Sequence, residues 1–444
     1  MNKYIYFIIV LSFCLDTEIS AIAADTLSLT KAIDITLDQS YSIKIATNDA
    51  AIASANATRA AAGMMPMVSA TIGQIGGLND INQSLLSGQE INRLGAGNKQ
   101  SSASIALNWT LFDGFGMFAN YDRLLALKNM GELKLRSSIE QTISKVIMSY
   151  CTMVRNQAMI QSSLFREELS KERLRLSVLR FLVGRSGEQD TLQASIDFQS
   201  DKTATLRIVE QYKASRLQLN NFMGGYQDTV YSVTSHFPSI YYDSTKLNEH
   251  TIIQSNIDLQ SIKAGIISAD AALEQVKARS YPRLSLNTAY SYNQSSNDGS
   301  FVISNQTKGA SFNITAQYDV LDGFLLSQKK EIASLQLENI GIQYKELEQF
   351  LLTSFRIAKG SFDTYTAIEK LEENNVLIAK KNSEIALEKL KQGTMSSFDF
   401  RVTQQSIYEA QFRSIQAKYE RMLSLSELMK ITSNFNSLLE KRTP

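Results

Sequence analysis

The sequence of 444 residues contains little cysteine, proline, glycine or histidine, and each shortage excludes something. Two cysteines cannot build a disulfide framework, and the two histidines, His236 and His250, have no metal-ligand spacing to a partner. No Ser/His/Asp set and no glycine-rich phosphate loop stands out, so we expect neither an enzyme nor a cofactor. Four prolines and 21 glycines are few for this length, and their scarcity predicts long uninterrupted helices.

The chain also has no excess of charge of either sign. Its formal net charge is +1, which gives no electrostatic reason to expect nucleic acid as a partner. The hydrophobic content is ordinary, and we expect no helix that holds the protein in an inner membrane.

The N-terminus has the pattern of a secretory signal peptide over residues 1–23. Lys3 precedes an apolar run that is too short to span a bilayer, and Ala21-Ile22-Ala23 resembles a cleavage site. Lipid attachment at Cys14 is the alternative, although Phe13 is bulky for the position before a lipidated cysteine. Cleavage after Ala23 leaves Cys151 alone, which we interpret as a buried thiol. The protein is therefore predicted to be exported.

The rest of the chain is a tandem repeat of about 210 residues, predicted over residues 24–235 and 236–444. The segment "NWTLFDGF" over residues 108–115 matches "QYDVLDGF" over residues 317–324 at an offset of 209. The same offset pairs Gly184 with Gly393 and Asp190 with Asp399.

Both repeats have one predicted plan: a helix, a proline, a hairpin of two strands, a very long helix, a glycine turn and a returning helix. Pro66 and Pro282 mark the change from helix to strand. The predicted helices cover residues 28–62, 117–183 and 191–223 in repeat 1, and residues 248–279, 325–392 and 398–432 in repeat 2. The predicted hairpins cover residues 67–112 and 283–321, with polar loops over residues 76–102 and 294–310.

The predicted helix lengths indicate a rod. A 67-residue helix is about 100 Å long, and the opening and returning helices would each cover about half of it. Apolar residues recur at coiled-coil spacing, which predicts packing seams between neighbouring helices. The stripes are Ile139, Ile143, Val146, Tyr150 and Met153; Phe355, Ala358, Phe362 and Tyr365; and Leu371, Ile378 and Ile385.

The strands alternate between apolar and polar residues, as in residues 312–320, so each has one apolar and one polar face. Their length suits a tilted strand that crosses a bilayer, and Trp109, Tyr290, Tyr292 and Tyr318 are candidate interfacial aromatics. Four strands cannot close a barrel, and open edges are not tolerated in lipid, so several chains would have to contribute. The alternative is a half-buried soluble sheet packed on helices.

This order of elements resembles the TolC-type outer-membrane efflux protein family over essentially the whole mature chain. The resemblance implies a mainly α fold with a small β part, in which a trimer forms a 12-stranded transmembrane β-barrel and an α-helical tunnel in the periplasm. It implies an exit duct for efflux or type I secretion, and as partners outer-membrane lipid, a periplasmic adaptor and an inner-membrane transporter. The residues that carry it are Trp109, Leu111, Phe112, Asp113 and Gly114, Tyr318, Asp322 and Gly323, and Pro66 and Pro282.

The resemblance also implies that the Gly184 and Gly393 turns form the periplasmic tip, with Asp190 and Asp399 as candidates to line its aperture. The alternative is a structural role, because Ser186 with Gln189 and Ser396 with Asp399 resemble capping boxes. The chain departs from the family's best-known gate at Leu390, Met395 and Val402, where that gate carries a tyrosine, an arginine and an aspartate. Apolar packing is therefore expected if the tip closes.

A second class of function fits the same helices. An exported coiled-coil structural or adhesion protein without a pore would also show heptads and a signal peptide. The two hypotheses differ in solubility, because a duct requires detergent and a structural protein does not. A periplasmic adaptor is disfavoured, since it would need lipoyl-like β segments inside one helical hairpin.

Overall fold

A computed structural model describes residues 26–225, 230–240, 249–298 and 302–435. The predicted signal peptide and Cys14 lie outside these residues. Within them the chain forms eight helices and four strands. Repeat 1 contains α1 (Leu29–Gln39), α2 (Tyr41–Asn56), β1 (Met67–Ser84), β2 (Glu90–Phe112), α3 (Gly116–Leu182) and α4 (Glu188–Met223). Repeat 2 contains α5 (Glu249–Ser255), α6 (Ile257–Ala278), β3 (Arg283–Asn297), β4 (Ser304–Gln317), α7 (Leu325–Gln392) and α8 (Ser397–Ile431).

The long helices agree with prediction to within one residue, because nothing interrupts them. α3 has 67 residues and α7 has 68, and neither contains a proline. Each folds back on its returning helix, α3 on α4 and α7 on α8, while α3 also packs against α6 and α8. The rod is therefore built around α3.

The opening helix of each repeat is broken in two, which corrects the prediction of single helices over residues 28–62 and 248–279. Ser40 separates α1 from α2, and its φ and ψ of −58° and 123° leave the helical region. Asn256 separates α5 from α6, and its side chain accepts a hydrogen bond from the Leu259 N–H at 3.0 Å. In repeat 2 the interrupting residue therefore caps the next helix with its side chain, whereas Ser40 in repeat 1 makes no such cap.

The four strands form one antiparallel sheet in the order β1-β2-β3-β4. The two hairpins are joined by pairing between β2 and β3, which places Ile105 opposite Tyr290 and Asn108 opposite Asn287. Among the described residues, the outer edges of β1 and β4 have no strand partner.

The register gives the sheet one apolar and one polar face, because residues that pair directly share a face. The polar face carries mainly Ser, Thr, Asn, Gln, Gly and Ala, apart from Met67 and Ile75 in β1 and Arg283 at the start of β3. The apolar face carries Val68, Ala70, Ile72, Ile105, Leu107, Trp109, Leu284, Leu286, Tyr290, Tyr292, Phe312 and Ile314. Its large side chains are mostly exposed in the single chain, including Ile72, Ile105, Tyr290, Phe312 and Ile314.

The strands extend further than predicted into the two polar loops, and β4 ends earlier than predicted at its helical end. Most of the predicted polar loop 76–102 is strand, because ladder hydrogen bonds come from the backbone and need no apolar side chains. The predicted loop 294–310 likewise contains the end of β3 and the start of β4. β4 ends at Gln317, so the alternating residues 318–321 lie beyond the strand.

The main core lies where α1, α3, α4 and α8 meet the segment 230–240. That segment pairs with the N-terminal side of α1, because Thr26 and Ser232 form a parallel bridge. Of the predicted α3 seam, Ile143, Val146, Tyr150 and Met153 are buried and Ile139 is half-buried. Cys151 is a buried free thiol, as predicted, and burial raises its pKa to about 12.

The predicted seam on α7 is only partly confirmed. Phe355 and Ala358 are buried in a second core cluster that also contains Ile252, Leu259 and Leu428. In contrast, Leu371 is 66% exposed, Ile378 60% and Ile385 48%. Their heptad spacing therefore does not reflect packing within this chain.

No helix among the described residues combines the length and the apolar composition needed to cross a bilayer.

Candidate functional site

The Asp-Gly motifs form the junctions between the sheet and the long helices. At both junctions two consecutive residues have left-handed φ: Gly114 and Phe115 (73° and 70°), and Gly323 and Phe324 (66° and 65°). Left-handed φ favours glycine and is uncommon for a phenylalanine. This paired conformation turns the chain from strand into helix, since each phenylalanine is the residue before the helix.

The surroundings of the two junction glycines differ. A Cβ on Gly114 would lie 2.2 Å from the Ala278 carbonyl oxygen and 2.8 Å from the Tyr281 Cβ, at the end of α6. A Cβ on Gly323 would meet no atom of the described part of the chain within 4 Å. The junction of repeat 1 is thus covered by repeat 2, and the junction of repeat 2 is open.

Other predicted residues surround these junctions. The Trp109 indole N–H donates to the Met64 carbonyl at 3.0 Å and ties β2 to the segment around Pro66. The Phe112 and Phe115 rings contact each other edge to face, with centroids 5.3 Å apart.

The two junction aspartates make different contacts. Asp322 accepts a hydrogen bond from the Leu326 N–H at 2.7 Å, at the start of α7. The Asp113 Oδ1 atom is buried and has no hydrogen-bond partner. Tyr318 is exposed beyond the end of β4, and Pro282 directly precedes β3.

Gly184 and Gly393 form the helical tips, as the sequence predicts. Both are left-handed, at 71° and 78°. The Gly184 N–H donates to Phe181 and the Gly393 N–H to Leu390, which satisfies carbonyls at the helix ends. The Arg180 guanidinium donates to the carbonyl oxygens of Leu390 and Met395, so it joins the two tips.

Asp190 and Asp399 lie in the first turns of α4 and α8, close to these tips. Both are exposed. The predicted cap of repeat 2 is confirmed in part: the Asp399 N–H donates to the Ser396 Oγ at 3.0 Å, as in a capping box, but the Asp399 carboxylate accepts from the Ser396 hydroxyl, at 2.7 Å, and not from its backbone N–H. The predicted box at Ser186 is wrong, because the residue before α4 is Gly187 and the Ser186 Oγ is buried without a partner.

Two of the three positions that depart from the family's gate have apolar surroundings. Leu390 is buried with Leu169, Ala386 and Phe400, and Met395 packs against that cluster. Val402 is exposed. The two hairpins therefore meet near their tips through apolar contacts.

Sequence reasoning missed a buried ionic cluster just above the tips, formed by α3, α4 and α8. Arg401 donates to both carboxylate oxygens of Asp201, at 2.6 and 3.1 Å. Arg173 pairs with Asp197 at 2.6 Å. Asp201 and Arg173 are both 2% exposed, while the side chains of their partners Arg401 and Asp197 are 23% and 17% exposed, so each pair is mostly removed from solvent.

Further contacts complete this cluster. The Arg166 Nε lies 3.3 Å from the Asp201 Oδ1, and its guanidinium stacks 3.9 Å from the centre of the Tyr408 ring. Gln404 donates to the Ser170 hydroxyl and the Arg166 carbonyl. The signal was present in the sequence, because Arg166, Arg173 and Arg180 recur every seven residues and so must lie on one face of α3.

A second polar cluster lies where α3, α6 and the end of α8 meet. Burial raises the pKa of Glu140 to about 7, while a hydrogen bond with Ser433 and the charge of Arg136 act to lower it. Asp258 faces the same site and accepts a hydrogen bond from the Ser137 hydroxyl at 2.7 Å. No group of three or more metal-ligating side chains comes together in the part of the chain that the structure describes.

Comparison with known proteins identifies the fold. The sequence profile of a family described as outer membrane efflux protein matches residues 32–225 and 250–434. No curated protein sequence matches the chain.

Solved structures with this fold share little sequence with the chain. The outer-membrane channel OprN is 14% identical, with a TM-score of 0.78 over 92% of this chain and 90% of that one. The Campylobacter jejuni outer membrane channel CmeC is 17% identical, with a TM-score of 0.77 over 91% and 85%. The Vibrio cholerae outer membrane protein VceC is 14% identical, with a TM-score of 0.76 over 91% and 95%.

Proposed function

Because the chain belongs to the outer membrane efflux protein family, we propose that it forms the outer-membrane exit duct of a tripartite efflux pump or type I secretion system. The two-faced sheet carries the proposal. Its apolar face suits lipid and its polar face suits a water-filled lumen. The sheet leads directly into helices of about 100 Å, which suit a tunnel wall in the periplasm.

We propose that several copies complete a ring of alternating repeats. Within the chain, α6 and α8 of repeat 2 pack on α3 of repeat 1. Among the described residues, α2 and α4 have no comparable packing on α7. The next copy would supply it, which accounts for the exposed apolar residues of α7, such as Leu371 and Ile378, and for the open space at Gly323.

The face of α2 that would meet the next copy is apolar, as a helix-packing surface should be. An apolar groove of about 850 Å³ lies between α2 and α3. Ile45, Ile52 and Met130 are among its lining residues, and Ile45 and Ile52 are exposed in the single chain.

Sheet closure favours three copies. Pairing of β4 with β1 of the next copy would repeat the join that β2 and β3 make within the chain. Two copies would form eight strands, a barrel just wide enough to be filled by side chains, whereas three copies would form twelve and leave a lumen. We therefore propose a homotrimer.

Small ions would pass such a duct in the purified protein, but opening it fully for cargo would require binding energy from partners, because it has no energy source of its own. The proposed partners are a periplasmic adaptor and an inner-membrane transporter. The hairpin tips support an adaptor site, since Leu182, Val183 and Phe398 expose apolar side chains there.

We further propose that Asp190 and Asp399 line the periplasmic aperture, where six carboxylates in a trimer would favour cations over anions. Purified protein in a planar bilayer is expected to form pores, and Asp190→Asn with Asp399→Asn is expected to lower their cation preference. Glu210→Gln is a matched control, because its carboxylate lies on exposed α4 away from the tip. Absence of pores from folded protein would contradict the duct, and unchanged selectivity would contradict only the aperture role.

A further inference from the structure

The two strand hairpins differ in length, and the longer one projects beyond the sheet. Pairing between β2 and β3 ends at Asn98 and Asn297. Pairing between β1 and β2 continues to Ser84 and Glu90. Residues 78–97 therefore form a two-stranded projection, the distal hairpin, at the end of the sheet opposite the helices.

The distal hairpin has a defined base. A bulge follows the Asn79–Ala96 pair, where Gly95 is left-handed at 66° and its N–H donates to the Asp80 carboxylate at 2.7 Å. The Arg93 guanidinium donates to the Asp298 carbonyl, and the Asp298 N–H donates to the Gly97 carbonyl at 2.9 Å. Bulges bend and twist a strand pair, so this base sets the direction of the hairpin.

The polarity of the two faces reverses in the distal hairpin. The face continuous with the polar, lumen side carries Ile81 and Ile91, together with Gln83 and Arg93. Beyond the bulge, the face continuous with the apolar, lipid side carries only polar residues, namely Asn82, Ser84, Glu90 and Asn92, whereas the exposed Leu78 and Leu94 lie at the base of the hairpin. Isoleucines on the lumen side would be exposed to water if nothing packed against them, so their placement favours a partner on that side.

The tip adds further apolar surface. The turn places Leu85 and Leu86 next to each other, closed by a hydrogen bond from the Gly88 N–H to the Leu85 carbonyl at 2.9 Å. The Leu86 side chain is fully exposed, at 111%. Together with Ile81 and Ile91 on the lumen side, Leu86 gives the hairpin an apolar surface that one isolated leucine would not provide.

The distal hairpin is long enough to reach the axis of a trimer. From the Leu78–Gly97 pair to the Ser84–Glu90 pair the chain rises about 20 Å at about 3.3 Å per residue. Twelve strands spaced about 4.8 Å apart and tilted by about 40° enclose a barrel of about 12 Å radius. Three hairpins that lean inward would therefore meet over the mouth.

We propose that the distal hairpins of the three copies pack against one another through Ile81, Ile91 and Leu86 and form a cap over the outer mouth of the barrel. The partner of each hairpin is the same segment of a second copy, since the apolar side faces the axis that the copies share. This inference rests on the proposed trimeric duct. The cap makes the outer mouth a second constriction, independent of the periplasmic tip.

Paired cysteine variants on opposite faces of the hairpin test the cap in the full-length protein in its membrane. Ile91→Cys lies on the inward face and Asn92→Cys on the outward face, and Cys151 is buried, so the introduced thiol is the one that reacts. Oxidation is expected to join two of the three Ile91→Cys chains into a disulfide-linked dimer. Asn92→Cys chains are expected to remain unlinked.

The particle mass in detergent, measured on the same samples, separates the two levels of the proposal. Loss of the trimer in unmodified protein would contradict the duct itself. An intact trimer in which Ile91→Cys does not cross-link, or in which both variants cross-link equally, would overturn the cap alone.

A conductance measurement provides a second test that does not depend on cross-linking. Ile91→Glu would place three like charges together at the mouth and is expected to separate the hairpins and raise single-channel conductance. Asn92→Glu adds the same charge on the outward face and is expected to leave conductance unchanged. Equal conductance of Ile91→Glu and unmodified protein would overturn the cap.

Discussion

Gly114 and Gly323 stand at equivalent positions of the two repeats and adopt the same backbone conformation, yet one is enclosed and the other faces open space. The same contrast holds for the helices, because α3 is covered by α6 and α8 while the apolar stripe of α7 is exposed. Equivalent positions of repeat 1 are thus covered by helices of repeat 2, whereas those of repeat 2 have no such cover within the described chain. A duplicated chain indicates in this way where the next copy has to bind.

The two repeats also differ where no packing requires it. Repeat 1 carries the longer strand hairpin and the buried arginines of the ionic cluster. At the offset of 209, Ala410 replaces Asp201 and Gln349 replaces Glu140. The architecture therefore uses the shared features in both repeats, whereas the longer hairpin, Asp201 and Glu140 have a role at one position only.

The largest expected effect comes from the two junction glycines. Gly114→Ala would add a left-handed alanine, at about 1 to 2 kcal/mol, and a backbone clash of about 1 to 3 kcal/mol. In a single chain, Gly323→Ala would cost only the conformational energy of a left-handed alanine. In a closed trimer it would also cost the energy of a clash, because the next copy would fill the open space. We therefore expect both variants to lower the temperature at which the trimer unfolds by similar amounts.

The control for this comparison is Gly184→Ala, which is also left-handed and has no atom within 4 Å. It is expected to show the smaller, conformational effect alone. A Gly323→Ala protein that behaves like this control would mean that no second copy fills the space.

The ionic cluster, which joins α3 and α4 of repeat 1 to α8 of repeat 2, should give the next largest effect. Asp201→Asn keeps the shape of the side chain but leaves Arg401 and Arg166 without their carboxylate in a buried site. Removal of one partner from a buried pair costs about 3 kcal/mol. Thermal unfolding should show a clear loss of stability, whereas Glu210→Ala, in an exposed pair with Lys213, should cost less than about 0.5 kcal/mol. Equal losses would show that the cluster is not sealed from water.

A smaller, pH-dependent effect is expected at Glu140. Its pKa is raised from 4.5 to about 7, so the folded state keeps a proton that the unfolded state releases above pH 4.5. The stability linked to this group is present below pH 4.5 and is lost as the pH rises through 7. Glu140→Gln is expected to melt a few degrees above unmodified protein at pH 8 and close to it at pH 4.5, and an equal difference at both pH values would contradict the assignment.

The smallest effect concerns the first turn of α8 against that of α4. Ser396→Ala removes the cap and should weaken this turn by about 1 kcal/mol. Gly187→Ser introduces a cap in repeat 1 and should strengthen α4 by a few tenths of a kcal/mol. Hydrogen exchange of the amides measures both changes. It is expected to become faster in the first turn of α8 in Ser396→Ala and slower in the first turn of α4 in Gly187→Ser. Unchanged exchange in α8, or faster exchange in α4, would contradict the assigned caps.

The sequence predicts the features that depend on local chemistry. Scarcity of proline and glycine predicts α3 and α7 almost to the residue, and the Gly184 and Gly393 turns lie where expected. The Asp-Gly motifs mark both junctions. These features follow from backbone preferences that act within a few residues.

Features that depend on partners in space are harder to predict. The polar residues 76–102 suggest a loop, but most of them form strands. The backbone hydrogen bonds that pair β1 with β2 do not depend on side-chain polarity, so the sequence does not reveal them. Ser40 and Asn256 break helices that periodicity alone would continue. The stripe of Leu371, Ile378 and Ile385 predicts a seam, but these residues are exposed in the single chain, and that the next copy covers them is a proposal.

The most direct test of the central claim is the mass of the purified mature protein, extracted from the outer membrane in detergent and measured by light scattering. With 49.5 kDa for the whole chain, we expect a detergent-dependent particle of three chains. A water-soluble single chain or dimer would contradict the ring of alternating repeats and the duct that depends on it.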